Sequence, residues 1–310
     1  MSTFPYTIRN YQPADFDEYV RLNIEAEELE PTGRCTSPQF LDENLRQPNY
    51  SPEQDMFVAG KDEKLIGFVN VTSEQHTRRA ILDCLVQPEH RRRSLARKLL
   101  ACALQRAREL RAKLAHVNVR EDDTVSNQVL SRLGFRIVRH FLDLRLNLAE
   151  IQLSGITLDS YSCNHLLTGE EDKLAKIQNR CFIGTWGYNP NTAEEIVHRL
   201  KLEKCSPEDV ILICSEDKPI AYCWTIIYKP INAGNTEMKG RIYMLGTDPD
   251  FRGLKLGRAA LLAGLHHLKT QGMQVAEITV DSENTVAFAL YRSIGFKVWS
   301  SSLWYEKAID

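Results

Sequence analysis

Arg252-Gly253-Leu254-Lys255-Leu256-Gly257-Arg258 is a segment whose residue types suit an anion. It follows an apolar run and enters a stretch with apolar residues at Leu256, Ala260, Ala263 and Leu268, the spacing of a helix with one buried face. A loop entering a helix leaves several backbone N–H groups without partners, and the helix dipole adds partial positive charge there. Together they make an anion site. Gly253 and Gly257 let the backbone approach a diphosphate with no Cβ in the way. Arg252, Lys255 and Arg258 add charge. Alone, the segment reads equally well as a solvated basic helix start. The second chemical segment runs from Asp281 to Phe296, after another apolar strand. Ala287, Leu290 and Ile294 share one helix face. Asn284 can cap that helix or hold a ligand amide, and the two uses are compatible. Tyr291, late on the helix, has an ordinary reading as a half-buried core tyrosine.

The elements that must position these segments occur twice. Pro88–Arg97 resembles Pro249–Arg258, and Leu133-Gly134-Phe135 resembles Ile294-Gly295-Phe296. Both pairs are 161 residues apart, as Arg91 and Arg252 or Gly134 and Gly295 show. A shared offset marks a duplicated unit of about 150 residues, an ordinary domain size. Each copy predicts a short strand (Tyr6–Arg9; Ile156–Asp159) and a helix (Asp15–Glu25; Gly169–Cys181). A hairpin follows (Met56–Ala59 and Leu65–Val71; Val210–Ser215 and Pro219–Tyr228), then an apolar strand (Ala80–Val86; Arg241–Thr247) and the Arg-rich loop. A helix (Leu95–Leu110; Leu256–Leu268), a strand (Lys113–Val119; Val275–Val280), a short helix (Val125–Leu133; Thr285–Ile294) and a closing strand complete it. Strands alternating with helices indicate an α/β fold with a mixed sheet. Leu148–Gly155 reads as the linker, giving domains 1–148 and 149–310.

The bulk properties set limits. The chain has 310 residues, 43% hydrophobic and 26% charged, enough apolar content for two cores. A net charge of −2 excludes a chain-wide basic field for nucleic acid or membrane. No apolar run is long enough to span a bilayer, and no secretory signal is visible, so a cytoplasmic location is expected. The eight cysteines show no CxxC pair and no zinc spacing, and read as reduced, buried thiols. No metal is expected. His266 and His267 point to different sides of one helix and read as packing and surface residues.

The pair Arg-x-x-Gly/Ala-x-Gly/Ala and Asn-x-x-Ala-x-x-Leu-Tyr-x-x-x-Gly-Phe resembles the GCN5-related N-acetyltransferases (GNAT). The resemblance covers both halves and is specific in the second. Ile242–Pro249 and Trp186-Gly187-Tyr188-Asn189-Pro190 look most like the tandem-domain branch that includes mycothiol synthase. The fold implied is two tandem GNAT folds, each a mixed, mostly antiparallel sheet flanked by helices. The activity implied is acyl transfer from acetyl-CoA to a primary amine of a small molecule, by direct attack. One departure is Lys255, which stands where the family has a small residue.

By this resemblance, backbone near Leu245, Gly246 and Thr247 pairs with pantetheine and polarises the thioester, an oxyanion role. The loop from Arg252 through Gly253, Leu254, Lys255, Leu256 and Gly257 to Arg258 takes the pyrophosphate, and Asn284 contributes. Tyr291 matches the general acid. A base is required because a lysine-like amine has a pKa of about 10.4. Arg241 occupies the position where a glutamate is expected, which leaves Glu237 or Glu277 to act through water. The first half keeps Cys84, Leu85 and Val86 and the loop Arg91, Arg92, Arg93, Ser94, Leu95, Ala96 and Arg97. Its Asp123 and Leu130 replace Asn284 and Tyr291. That half is expected not to catalyse; its arginine run reads either as a retained CoA site or as a solvated helix start, and its remaining job would be structural. The Trp186–Pro190 segment either lines the acceptor pocket or packs as a surface loop. Two further readings stay open, a non-catalytic acyl-CoA sensor or scaffold and a protein N-acetyltransferase. The chain is expected to be a monomer or homodimer.

Overall fold

Alternating and helical apolar periods place one buried face on nearly every element, and those faces assemble four core clusters, two in each unit. The computed structural model of the chain describes residues 5–30, 36–151, 160–202, 205–228 and 237–309. The predicted strand Ile156–Asp159 and the end of the predicted linker lie outside these residues.

The first half runs β1 (Thr7–Asn10), α1 (Phe16–Leu29), α2 (Pro38–Leu45), α3 (Pro52–Asp55), β2 (Met56–Lys61), β3 (Lys64–Glu74), β4 (Arg79–Val86), α4 (Leu95–Glu109), β5 (Leu114–Arg120), α5 (Thr124–Arg132) and β6 (Arg136–Asn147). The second runs β7 (Ser162–His165), α6 (Glu171–Phe182), α7 (Ala193–Leu200), β8 (Val210–Ser215), β9 (Lys218–Tyr228), β10 (Lys239–Thr247), α8 (Leu256–Thr270), β11 (Val275–Asp281), α9 (Thr285–Ile294) and β12 (Lys297–Ala308). Helices α2, α3 and α7 were not among the expected elements. They are short, and two begin at side-chain caps: in α2 Ser37 accepts from the Phe40 N–H, and in α7 Thr192 forms a capping box with Glu195.

Two compact units result. One runs through His140 and takes back Ser302 onward; the other spans Phe141–Ser301. The sequence boundary at 148/149 differs from this division because the closing strands are exchanged. In the first unit Leu114–Ala308 through Arg120–Ser302 pair antiparallel, so β5 is closed by β12. In the second, Val275–Asn147 through Asp281–Phe141 pair antiparallel, so β11 is closed by β6. Both sheets are otherwise antiparallel except for β4–β5 and β10–β11, which are parallel.

In the second unit α8 packs on one sheet face through Leu256, Ala260, Leu261, Leu265 and Leu268 against Cys223, Ile242, Ala276 and Ile278. The approach is close: a Cβ on Gly264 would meet Cys223 Sγ at 2.3 Å. The other face buries Tyr222 and Trp224 with Leu174, Ile177 and Cys181 of α6 and Ile196 and Leu200 of α7. Strand alternation sends Cys223 to one side and its neighbours to the other. His267, on α8, is buried and bonds Asp209 Oδ1 at 3.0 Å, while His266 is exposed. Among the described residues no cluster of His, Cys, Asp and Glu is arranged to hold a metal, and no helix is long and apolar enough to cross a membrane.

Candidate active site

Each parallel strand pair opens into a wedge. β10 pairs with β11 only from Lys239 to Ile242, although it stays on β9 as far as Thr247. Beyond Ile242 its β11-side edge carries backbone donors and acceptors with no strand to meet them. β4 behaves alike, pairing with β5 only from Arg79 to Ile81 while following β3 to Val86. A wedge lined by open backbone accepts an extended amide-bearing chain as a strand partner.

The loop at the wide end of each wedge has one backbone design. Gly253 has φ +83° and Lys255 φ +61°; Arg92 and Ser94, 161 residues earlier, have φ +61° and +63°. Left-handed residues alternating with right-handed ones turn successive N–H groups into one concavity, an anion nest. Among the described residues the N–H groups of Gly253 through Arg258 have no protein acceptor, and neither do those of Arg92 through Arg97. Helices α8 and α4 begin there at Leu256 and Leu95. Six free donors at a helix start fit a pyrophosphate. The left-handed turn also accommodates Lys255: its amide joins the free donors, and its side chain bonds no protein group among the described residues.

The arginines divide their work. Arg252 Nη2 donates to the Cys181 carbonyl at 3.0 Å, in the last turn of α6, so part of its guanidinium is spent on a C-cap. Its counterpart Arg91 forms a fork with Glu30 at 2.8 and 2.5 Å and donates to the Val86 carbonyl. Arg258 donates to Ser293 Oγ at 2.9 Å, tying α8 to α9. A residue with no motif signature, Arg180, clamps fully buried Asp248 at 2.7 and 2.9 Å and Asp250 at 2.8 Å. That guanidinium holds the Asp248 carboxyl below the usual carboxylate range. The pair fixes the turn into the loop.

Asn284 and Asp123 act as helix caps, accepting from Ala287 N–H at 3.1 Å and Ser126 N–H at 3.0 Å. The two wedges then diverge. β10 carries a bulge between Ile242 and Met244; β4 pairs with β3 without interruption. A bulge re-aims backbone groups next to a site. Tyr291 is 6% exposed in the core that holds Cys223 and Leu256, while Leu130 fills the equivalent place in the first unit. Burial, with the Cys223 thiol beside it, pushes the Tyr291 hydroxyl well above the usual tyrosine range. Cys223 pairs across the strands with Leu245, so Tyr291 stands near the bulged segment. Its hydroxyl donates to no protein group among the described residues.

The expected bases separate. Glu237 precedes β10 and pairs with Lys239 at 3.1 Å. Seven residue steps lie between it and Met244, about 23 Å of extended chain. Glu277 is the β11 partner of Arg241, just before the wedge opens, and Arg145 holds it at 2.7 Å. It faces away from α8, because Ala276 and Ile278 on either side are buried against that helix.

The Trp186–Pro190 segment lies on this second face. Trp186 packs edge-on to Phe141 with centroids 5.8 Å apart. Asn191 pins the segment to α6 through Asn179 and Gln178. Nearby, Tyr222 Oη, Trp224 Nε1 and Gln178 Nε2 are buried and have no protein partner among the described residues. Buried polar atoms are rarely left unsatisfied, so these three have room only for a buried water between α6 and the sheet. Cys181 lies against β10: a Cβ on Gly246 would meet Tyr222 Cε1 at 2.7 Å and Cys181 Sγ at 2.9 Å. In the first unit the wedge forms a cleft of about 250 Å³ lined by Cys84, Leu85, Val86, Arg91, Arg92, Ser94, Leu95, Ala96 and Arg97 with Asp123 and Leu130.

The Acetyltransferase (GNAT) family matches residues 20–135 and 172–296 of this chain. The ends of the two matched regions are 161 residues apart, the repeat offset. The chain is similar to the mycothiol acetyltransferase of Actinosynnema mirum, 27% identical over 305 residues and covering 94% of this chain and 96% of that protein. It is also similar to that of Stackebrandtia nassauensis, 24% identical and covering 83% and 84%. Among solved structures, a tandem GNAT protein from the clavulanic acid biosynthesis pathway superposes with a TM-score of 0.75 at 14% identity, covering 98% of this chain and 99% of that one. A GCN5-related N-acetyltransferase from Sphaerobacter thermophilus has a TM-score of 0.73 at 19% identity, covering 100% and 97%. These two likenesses establish the fold.

Proposed function

The chain belongs to the acetyltransferase (GNAT) family, and we propose that its second unit carries acetyl transfer from acetyl-CoA to the primary amine of a small molecule. The family makes it an acyl-CoA-dependent N-acyltransferase. A small-molecule acceptor is favoured by the relatives named mycothiol acetyltransferase. The observation that carries the assignment to the second unit is its asymmetry with the first. Bulged strand and tyrosine occur together there, while the first unit has a regular strand and Leu130.

The bound thioester supplies the acetyl group and a thiol leaving group. The amide donors of Gly253 through Arg258 hold the pyrophosphate. Backbone of the bulged segment up to Thr247 pairs with pantetheine amides and polarises the carbonyl. Glu277 takes the proton of the acceptor amine, directly or through water, as the C–N bond forms. Tyr291 gives its proton to sulfur as the C–S bond breaks. A phenol raised above its ordinary pKa keeps that proton throughout the neutral range, the form a donor needs. Acid and base lie on opposite faces of the sheet, so the acceptor enters from the face away from α8. The first unit binds CoA in its own cleft and does not turn it over.

Steady-state assays on a broad amine panel test this. Tyr291→Phe is expected to lower kcat by about 10²–10⁴-fold while CoA binding by calorimetry is kept. Wild-type kcat in that variant would remove Tyr291 as the acid. Tight CoA binding with transfer to no amine would favour a sensor.

A further inference from the structure

The second unit's sheet face opposite α8 carries a charged ladder whose far column comes from the first half of the sequence. Arg145 lies opposite Glu277, Asp143 opposite Thr279 and Phe141 opposite Asp281. The intervening Leu144 and Leu146 are buried against α8, which turns this column to the acceptor side. The Arg145 guanidinium holds Glu277 Oε1 from both Nε and Nη2 at 2.7 Å, and lies 3.7 Å over the Trp299 ring. Glu277 Oε2 has no protein partner among the described residues. Asp143 binds the Thr279 and Ser300 hydroxyls, and Thr279 accepts from Arg241 Nη2 at 2.5 Å.

We infer that Arg145 is a positioning residue for acetyl transfer: it fixes the plane of the Glu277 carboxylate so that the free Oε2 faces the acceptor amine. Two donors on one oxygen leave the other as the lone acceptor, and the Trp299 ring restrains the guanidinium that supplies them. The inference rests on the second unit being the transfer site. A purely structural cross-strand pair would stiffen the sheet and do nothing to the chemistry.

The experiment is a double-mutant cycle in the full chain, with one acetylated amine from the panel. Arg145→Met is expected to lower kcat by about 10–100-fold, part of what a positioned base contributes, with KM for acetyl-CoA unchanged. Arg145→Lys recovers part of the loss. In a Glu277→Gln background, Arg145→Met has no further effect. A kcat for Arg145→Met within twofold of wild type overturns the inference, as does an equal loss in the Glu277→Gln background. If Arg145→Met no longer binds acetyl-CoA, Arg145→Lys carries the cycle: a lowered kcat that the Glu277→Gln background abolishes supports the inference, and an unchanged kcat overturns it. Wild-type kcat in Glu277→Gln overturns both the base and its positioning. Absence of transfer to every amine in wild type is a separate failure, that of the acetyl-transfer reading.

Discussion

Cys181 decides which kind of acyl transfer the site can perform. Its thiol packs against β10, where a Cβ on Gly246 would collide with it. A nucleophilic cysteine here would give a two-step, acyl-enzyme route. Burial, reinforced by neighbouring Asp248, pushes its pKa up to about 12. A raised thiol pKa means the neutral form persists at working pH, and thiolate appears only as pH climbs toward that value. The expected outcome is therefore a single displacement. Cys181→Ala keeps transfer within a few-fold, and intact-mass analysis after incubation with acetyl-CoA alone finds no acetylated protein. A stoichiometric acetyl adduct lost in Cys181→Ala would reverse this. Arg252 shows the converse lesson at the same scale. Its position in the motif suggested phosphate binding, yet a donor is engaged at the end of α6, and no local pattern announces that.

The loop before α8 depends on backbone shape more than on side-chain charge. Its N–H groups converge because two positions are left-handed, and Lys255 tolerates this at a cost of about 1–2 kcal/mol. Gly253 has the larger φ, +83°. Lys255→Gly removes strain along with one cation, and is expected to leave the CoA Kd within about fivefold. Gly253→Ala must pay a comparable strain of about 1–2 kcal/mol, which corresponds to roughly a tenfold weaker Kd if it falls on the binding conformation. Calorimetry with CoA ranks the two; a stronger loss in Lys255→Gly would shift the weight to charge. The loop, the helix after it and the wedge strand were all legible in advance, because each is a local pattern of glycine, charge and apolar period. The bulge was not, since it depends on how β9 and β10 align.

The exchange of closing strands matters for the whole chain. Leu144, Leu146 and Leu148 are 0%, 3% and 1% exposed in the second unit's core, yet precede the expected domain boundary. Burying each is worth about 1.5–3 kcal/mol. Losing all three removes roughly 5–9 kcal/mol, comparable to the about 5–15 kcal/mol total of an ordinary domain. It also bares the edge of β11. A fragment of residues 149–310 is expected to be unfolded or aggregated, whereas one of residues 141–301 holds native-like circular dichroism and a cooperative melt. A stable, monomeric 149–310 fragment would contradict the exchange. Arg145 leaves with the same strand, so the same cut also removes the residue that holds Glu277.

By itself the sequence determined the family, the duplicated α/β fold and the two basic loops before α4 and α8, because those are written in short-range spacing of glycine, charge and apolar residues. It also set Leu130 against Tyr291 at the repeat offset. Only the tertiary structure decided which sheet each closing strand joins. β6 and β12 span Arg136–Asn147 and Lys297–Ala308, the same element at the repeat offset. Two strands with matching length and alternation satisfy either sheet edge equally well. Nothing local distinguishes the partners, so the pairing of Arg145 with Glu277 emerges only when the exchanged strands are in place.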